Sequence, residues 1–353
     1  MGIFYLVIVV TYILSYLARA CGKGRDEEFI KLNELFFILV AAIFILVCGL
    51  RSNIGDTYFY KHSYDLLVMT GEAVGYETGF LKLMEFLTTI SSDSQILVFI
   101  VGFICNLFIL FSLRREATYF ELSTYLFITS GYYLVTMNGM RQTMVAGIFF
   151  FFGVKFMKEK KLVHYFLLIF LLTLFHKSII FMLPIYFLGQ EKPFSKRIVL
   201  LITGTIFLTI TFSSFAGAVK EVSGEYGHYI DSFNEGGAHI LRSAIDGVPV
   251  LLSYMYKDKL LKKWKYSYIF INLSTLNFIF MILALQNWVF ARVGLYLSIS
   301  NFILLPYIIK NCLDDEKKKL FYIFCILFYF IYYYYDQAIV MGIYYRSLIL
   351  GIY

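Results

Sequence analysis

LFFILVAAIFILVCGLRSNIGDTYFYKHSYD, residues 35–65, joins an uninterrupted apolar run to a stretch of charged and aromatic side chains. The run from Leu35 to Leu50 carries no charge and approaches the length of a membrane-spanning helix. The residues after it include cations, carboxylates and aromatic rings: Arg51, Asp56, Tyr58, Tyr60, Lys61, His62 and Asp65. An arginine at the end of an apolar helix needs a physical reason if that end lies on the side of the membrane that is poor in basic residues.

Apolar runs of this kind recur along the whole chain. Of its 353 residues, 60% are hydrophobic and only 16% are charged, whereas a soluble domain carries about 25% charged residues. The pattern therefore predicts an all-α polytopic membrane protein, with residues 1–353 forming a single integral membrane domain and the first run retained as a helix. It predicts about 12 transmembrane helices, at residues 3–18, 33–50, 95–113, 119–137, 143–157, 162–175, 178–189, 198–215, 241–256, 266–286, 293–309 and 320–335.

The basic residues are concentrated in alternate loops. Six of these loops hold 22 of the 31 Lys and Arg residues: 19–31, 114–118, 155–161, 190–197, 257–265 and 310–319. Because Lys and Arg are retained in cytoplasmic loops, this side is predicted to be cytoplasmic and both termini extracytoplasmic. The net charge of +7 therefore follows from topology, and nucleic acid is not predicted as a partner.

Two long loops are predicted on the extracytoplasmic side, at about 51–94 and 216–240. Within the first, apolar residues recur at helical spacing from Phe80 to Ile90, which predicts an amphipathic helix in the outer interface. The second is rich in glycine and contains Asp231 and Glu235, so a mobile binding loop is expected there. After an aromatic belt at Tyr332–Tyr335, residues 338–353 are too short to span comfortably and are predicted to be re-entrant or interfacial.

Five of the nine cations on the predicted outer side lie at helix ends, together with one histidine. They are Arg51, Arg141, His176, Lys177, Arg242 and Arg292. Placing arginine against the positive-inside bias costs insertion energy, so such residues are expected to face a cavity or to pair with an anion. A guanidinium binds phosphate oxygens bidentately, and helix N-termini favour anions. The pattern predicts a site for a phosphate-bearing ligand, where Asp56 and Asp65 orient arginines or accept a proton.

Simpler interpretations compete with a functional one for several of these side chains. A single interfacial arginine is commonly a snorkelling anchor. His176 fits a hydrogen-bonded interfacial histidine, and Asp56 fits an Asx-turn after Gly55. Arg242 can pair with Asp246 one helical turn later. The aromatic residues 58–60 fit interfacial packing as well as sugar stacking.

Metal and disulfide chemistry have no support in the pattern. The five cysteines form no CxxC or Cys/His spacing that is typical of zinc sites or disulfide frameworks. The predicted outer loops contain no DxD-like acidic pair. The sequence therefore predicts neither a metal site nor a cofactor.

Four short motifs occur in an order and at a spacing that resemble one family. They are GLRSNIGDTYFYKHSY at 49–64, NGMRQTMVAGIFFF at 138–151, LTLFHKSIIFMLPIYFL at 172–188 and NWVFARVGLYL at 287–297. Over about residues 36–310 the chain resembles the EpsG-like polysaccharide polymerases, a branch of the Wzy-type O-antigen and capsule polymerases. The residues that match the family's motifs are Arg51, Asp56 and Tyr60, then Arg141 and Gln142, then His176, then Arg292 and Tyr296.

This resemblance implies a GT-C-like, metal-independent glycosyltransferase of the bacterial cytoplasmic membrane with its active site outside. Such an enzyme moves a growing glycan from undecaprenyl pyrophosphate to the non-reducing end of a lipid-linked repeat unit. Arg51, Arg141 and Arg292 are expected to hold the pyrophosphates, and Asp56 or His176 to act as the base. The expected substrate-binding residues are Tyr60, Gln142, Lys177, Arg242 and Tyr296.

The resemblance also implies the bilayer as a partner, together with chain-length regulator and flippase proteins. Two other functions remain open. A flippase for the same lipid-linked sugars predicts polar residues deep in several helices and an internal repeat. A ligase or monosaccharide transferase that uses a polyprenyl carrier differs from a polymerase in its product.

Overall fold

The computed structural model describes residues 1–24, 29–73, 75–116, 118–223 and 237–352. Within these ranges the chain forms helices and no β-strand, which confirms the all-α prediction. Most of the predicted loop 216–240, with Gly224, Gly227, His228, Asp231, Glu235 and Gly236, lies outside the described residues.

The helices are numbered in chain order. The α-helices are α1 (Gly2–Ala20), α2 (Glu34–Gly49), α3 (Thr57–Thr70), α4 (Thr78–Thr88), α5 (Gln95–Arg115), α6 (Phe120–Thr129), α7 (Tyr132–Asn138), α8 (Met140–Lys158), α9 (Leu162–Thr173), α10 (Ile185–Gly189), α11 (Lys196–Ser223), α12 (Ile240–Met255), α13 (Lys257–Lys263), α14 (Ser267–Leu283), α15 (Val289–Ser298), α16 (Asn301–Asn311) and α17 (Asp315–Tyr333). A 3-10 helix (Lys177–Met182) precedes α10, and a π-helix (Tyr334–Val340) continues α17.

Three of the predicted spans are broken. The run 119–137 divides into α6 and α7 at Gly131, which has a left-handed φ of 85°. The run 178–189 forms the 3-10 helix and α10 on either side of Pro184. The run 293–309 forms parts of α15 and α16, which are bent by 48° relative to each other. Irregular backbone at membrane depth is tolerated only where protein or a polar cavity satisfies it, so these breaks indicate where a site can form.

The number of spans stays a prediction. By length and composition, three helices in the described ranges can cross a membrane, namely Gly2–Ala20, Gln95–Arg115 and Asp315–Val340, and the bent pair α15–α16 makes a fourth. Other apolar helices are shorter, among them α2, α9 and α14. A short apolar helix can cross by locally thinning the bilayer, so length alone does not fix the count.

The predicted outer loop 51–94 contains two helices, α3 and α4. The amphipathic helix is confirmed as α4, which buries Phe80, Met84 and Leu87; Ile90 lies beyond its end and is exposed. The second loop begins later than predicted, because α11 continues to Ser223 instead of ending at residue 215. That apolar helix persists through small and polar residues, which hydropathy alone places in a loop.

The centre of the bundle is the packing of α5 against α2 and α8. Glycines allow the helices to approach closely. A Cβ atom at Gly102 would lie 3.0 Å from the Cys48 Sγ, and one at Gly147 would lie 3.0 Å from the Cys105 carbonyl oxygen. Small residues at such contacts are characteristic of helix packing in membranes. The packing fixes the ends of α2 and α8, where Arg51 and Arg141 are found.

The segment after the π-helix packs on the connection between α2 and α3. The backbone N–H of Ser52 donates to the Arg346 carbonyl at 2.8 Å. The Tyr345 hydroxyl donates to the Val47 carbonyl at 3.0 Å, and the Ser347 hydroxyl donates to the Leu50 carbonyl. Residues 343–352 are therefore a non-helical strap (called the C-terminal strap below) that holds the first motif in place.

Candidate functional site

Glu77 joins three distant parts of the chain. It precedes α4, and its side chain is only 12% exposed. One carboxylate oxygen accepts a hydrogen bond from the Arg141 Nη1 at the start of α8. The other accepts from the Lys177 backbone N–H at 3.1 Å and lies 3.7 Å from the His176 Nδ1. We call Glu77, Arg141, Gln142, His176, Ser178, Arg292 and Tyr296 the Glu77 cluster.

Arg141 is held by aromatic rings as well as by Glu77. Its guanidinium carbon lies 4.7 Å from the centre of the Tyr76 ring and 5.6 Å from that of Phe80. Its Nε donates to the Tyr60 hydroxyl at 3.4 Å. No described residue accepts a hydrogen bond from its Nη2. A guanidinium stacked and paired in this way has lost most of its conformational freedom and keeps donor capacity for a ligand.

His176 is neutral in this environment. Burial is the main cause that lowers the pKa of its imidazole; Glu77 opposes the shift, Arg141 and Arg292 add to it, and the resulting pKa is about 4. The Nδ1 atom is buried and has no hydrogen-bond partner. Because the imidazole is unprotonated at neutral pH, it can accept a proton.

α15 contributes Arg292 and Tyr296, one helical turn apart. The Arg292 guanidinium stacks on the Trp288 ring at 4.3 Å and is exposed. No carboxylate among the described residues forms an ion pair with it. Its carbonyl accepts a hydrogen bond from the Gln142 Nε2, and the Tyr296 hydroxyl lies 2.9 Å from the Ser178 Oγ. These bonds attach α15 to α8 and to the 3-10 helix.

Arg51 lies apart from this cluster and is completely buried. Its Nε donates to the Thr57 hydroxyl at 3.1 Å, Nη2 donates to the Met137 carbonyl at 2.7 Å, and Nη1 donates to the Cys48 carbonyl. All of these acceptors are protein atoms. Arg51 therefore ties the start of α3 to the ends of α2 and α7, and its predicted contact with pyrophosphate stays a prediction.

The position of Asp56 is fixed by a hydrogen bond of its backbone. Its N–H donates to the Asn138 Oδ1 at 3.0 Å, and its side chain makes no capping hydrogen bond, so the Asx-turn interpretation is wrong. Gly55 has a φ of 53°, and a Cβ atom there would lie 2.1 Å from the Asn138 Oδ1. Only glycine allows this close approach of the first motif to α7.

Arg242 does not join the Glu77 cluster, and it does not pair with Asp246. Its Nε donates to the Asp336 Oδ1 of the π-helix at 3.1 Å, so the proposed pairing with Asp246 is wrong. Both carboxylates and Arg242 border a cavity of about 540 Å³. Arg242 is thus separated from the Glu77 cluster by α15.

Glu77, Asp336 and Asn138 are the site residues that sequence reasoning missed. Glu77 stands just before an amphipathic helix, where an acidic residue is favourable. Its pairing with residues 64 and 99 positions further on has no local signal. In the described ranges, no three His, Cys, Asp or Glu side chains are grouped so that they could hold a metal ion.

The comparisons with known proteins give one match. The family model described as the EpsG family matches residues 34–344. No curated protein and no solved structure matches the chain.

Proposed function

The chain belongs to the EpsG family, which is of the Wzy-like polysaccharide polymerase type, and on that premise we propose its donor, its acceptor and its site. The protein transfers a growing glycan from undecaprenyl pyrophosphate to the non-reducing end of a lipid-linked repeat unit. The reaction takes place at the extracytoplasmic face of the bacterial cytoplasmic membrane and needs no metal ion.

One observation carries this proposal. Arg141 and His176, which are distant in sequence, meet at a single carboxylate, Glu77, and the charge of Arg292 acts on the same His176 imidazole. The two guanidinium groups outweigh that carboxylate, and His176 is neutral, so the cluster carries a net positive charge. A pyrophosphate supplies the missing negative charge.

The donor pyrophosphate is bound by Arg292 and Arg141. Arg292 has an exposed guanidinium with no ionic partner among the described residues, and Arg141 keeps its Nη2 for a second contact. Both stand in the first turn of a helix, where the helix dipole adds to the attraction for an anion. Lys177, which is exposed beside them, adds charge, whereas Arg51 acts as a positioning residue for α3 and Tyr60.

The transfer itself breaks one bond and forms another. The acceptor hydroxyl oxygen attacks the anomeric carbon of the donor glycan, and the bond from that carbon to the phosphate oxygen breaks. The electron pair leaves with undecaprenyl pyrophosphate, whose developing charge the two arginines stabilise. His176 takes the hydroxyl proton, and Asp56 is the alternative base. Glu77 orients the imidazole after a small movement closes the 3.7 Å gap.

The test is reconstitution of the purified protein with a lipid-linked repeat unit, with and without EDTA, followed by a gel for glycan length. We expect a ladder in both conditions. Arg141→Ala and Arg292→Ala are each expected to lower turnover by about 10²-fold, as loss of a donor to a developing oxyanion does. The matched control is Arg346→Ala, which removes an exposed arginine of the C-terminal strap.

Three results would contradict the proposal. If both arginine variants form the glycan ladder at the wild-type rate, the Glu77 cluster is not the pyrophosphate site. Movement of the lipid-linked unit across a vesicle bilayer without a ladder would instead support a flippase. Attachment of the glycan to a different acceptor would support a ligase.

A further inference from the structure

The two faces of α15 border two different environments. Arg292 and Tyr296 lie on the face that belongs to the Glu77 cluster. Ala291, Leu295 and Ser298 lie on the other face and line the 540 Å³ cavity. This volume is within the range of small-molecule sites, roughly 300–1,000 Å³. One short helix thus separates the cationic cluster from a cavity that the proposed chemistry does not use.

The charges that border this cavity do not suit an anion. Arg242 is its single cation among the lining residues, and Asp336 already pairs with it. Asp246 adds a second carboxylate, which accepts a hydrogen bond from the Asn301 Nδ2 at 2.7 Å. The lining has two carboxyl groups and a single cation that is already paired, so phosphate is disfavoured and an uncharged ligand that forms hydrogen bonds is favoured.

The polar groups of the cavity are held in fixed positions. Asn301, which positions Asp246, accepts a hydrogen bond from the Ser274 hydroxyl at 2.6 Å. Asp336 is bound by both Arg242 and the Gln337 Nε2. The π-helix that carries Asp336 and Gln337 is a rare structure that is frequent at functional sites. Fixed donors and acceptors of this kind reduce the entropy that a polar ligand loses on binding.

The rest of the lining is aromatic or apolar. Tyr132, Tyr332 and Phe302 border the cavity together with Leu134 and Ile245. Carboxylates and amides that bind hydroxyl groups, next to aromatic rings that cover the apolar faces of a sugar, are the combination that a pyranose requires. A lipid chain would form no hydrogen bond with the polar atoms of Asp246, Asp336 and Arg242 that face the cavity, which is unfavourable.

The cavity also reaches the boundary of the Glu77 cluster. Asn138 lines it, and the same short stretch of chain continues to Arg141 and Gln142 on the other side. Asp56, the alternative base, donates its backbone N–H to the Asn138 side chain at 3.0 Å. A ligand in the cavity can therefore present a hydroxyl group toward the cluster where the donor is bound.

We propose that this cavity binds the uncharged sugar residues at the non-reducing end of the acceptor, an inference that rests on the proposed function. The sugar at the reducing end of the donor is attached to pyrophosphate and must lie at the arginines. The non-reducing end of the acceptor is remote from its own pyrophosphate, which matches a cavity without a free cation. Asp246 and the Arg242–Asp336 pair bind its hydroxyl groups.

The test measures sugar binding separately from transfer. The probe is the lipid-free repeat-unit oligosaccharide, released by mild acid from the host's lipid-linked unit, and its affinity for the full-length protein in nanodiscs is measured at equilibrium. Asp246→Asn, which is nearly isosteric, is expected to weaken binding about tenfold or more, because it replaces one acceptor oxygen of the carboxyl group with an NH2 donor. Ala291→Phe is expected to do the same by filling the cavity.

Two controls isolate the cavity from the rest of the protein. Asp258→Asn changes an exposed carboxylate on α13 and is expected to bind the oligosaccharide like the wild type. Arg292→Ala is expected to keep oligosaccharide affinity while it loses transfer. If Ala291→Phe does not elute as a folded protein, Asp246→Asn decides the test, and its KM for the lipid-linked acceptor is expected to rise.

The possible failures can be told apart. Wild-type affinity in Asp246→Asn would overturn the acceptor cavity and leave the polymerase proposal intact. The acceptor cavity would also be overturned if inorganic pyrophosphate competes with the oligosaccharide in the wild type but not in Arg242→Ala, because the cavity would then bind anions. Oligosaccharide binding in a protein that forms no ladder would support the cavity and contradict the polymerase.

Discussion

Glu77 is the residue on which the candidate site depends most. Removing it leaves the Arg141 guanidinium, which is only 19% exposed, without its carboxylate. Loss of one partner from a buried pair is strongly destabilising, by about 3–5 kcal/mol in the most enclosed cases. We expect Glu77→Ala to lower the free energy of unfolding by up to about 3 kcal/mol, measured as a fall in the melting temperature of the purified protein.

Glu85 offers a control on the same helix. It pairs with Lys82, but the two side chains are 40% and 71% exposed, and exposed pairs contribute about 0–1 kcal/mol. Glu85→Ala is therefore expected to leave the melting temperature nearly unchanged. Equal effects of the two substitutions would mean that the contacts of Glu77 contribute nothing particular to the fold.

His176 makes the reaction depend on pH in a specific direction. Its pKa is lowered to about 4 in the free protein, in part by Arg141 and Arg292. Bound pyrophosphate offsets those two charges, so the pKa of the bound complex should be higher than that of the free protein. Activity should fall on acidification as the imidazole becomes protonated, and the fall should begin at a higher pH in kcat than in kcat/KM.

The measurement is a pair of pH profiles for the wild type and for His176→Gln. The variant cannot titrate at this position, so its residual activity is expected to lose the acidic limb. An acidic limb that remains unchanged in His176→Gln would assign the base to another group, with Asp56 as the first choice.

At the scale of elements, the connection from α2 to α3 is the most tightly constrained. Gly55→Ala has to adopt a positive φ and to displace the Asn138 side chain, so it should disturb both Asp56 and α7. Strain at positive φ costs about 1–3 kcal/mol for a residue other than glycine. We expect clearly reduced chain elongation and a lower melting temperature.

Gly71→Ala separates strain from contact. Gly71 has a φ of 75° at the end of α3, but a Cβ atom there would meet nothing within 4 Å. The Gly71→Ala variant should be destabilised only by the positive φ, and it should elongate glycan chains like the wild type. Equal loss of elongation in both variants would rule out the approach of Gly55 to Asn138 as the cause.

The elements also show what the sequence could predict. Hydropathy predicts the positions of most helices, because burial in a membrane depends on local composition. The helical spacing of apolar residues from Phe80 onward also correctly predicts α4. The breaks at Gly131 and Pro184 were missed, because each lies inside a run that is apolar on both sides. Likewise, helix ends rich in cations could be recognised locally, but the partners Glu77 and Asp336 lie 64 and 94 positions from Arg141 and Arg242. Only the packing of helices brings them together.

At the scale of the whole molecule, the helix bundle and the C-terminal strap have separate roles. The strap contributes no helix, but it bonds to residues 47–53 through Tyr345, Arg346 and Ser347. Removal of residues 343–353 should leave the helical content nearly unchanged and lower chain elongation, since the first motif loses its support. Circular dichroism and the glycan-length gel measure these two effects.

A point variant of the strap serves as the control for that truncation. Leu348→Ala changes an exposed side chain and keeps the strap's hydrogen bonds, so it should elongate chains like the wild type. Full elongation by the truncated protein would mean that the bundle alone positions the first motif.

The strap also has a consequence for biosynthesis. The ribosome produces residues 47–53 early and residues 343–352 after every helix described above. Until those late residues emerge, the backbone groups of Leu50 and Ser52 lack the partners that they have in the finished protein. A nascent chain can therefore insert its helices one after another while its first motif is still incompletely held, and the order of synthesis itself delays assembly of the site until insertion is nearly complete.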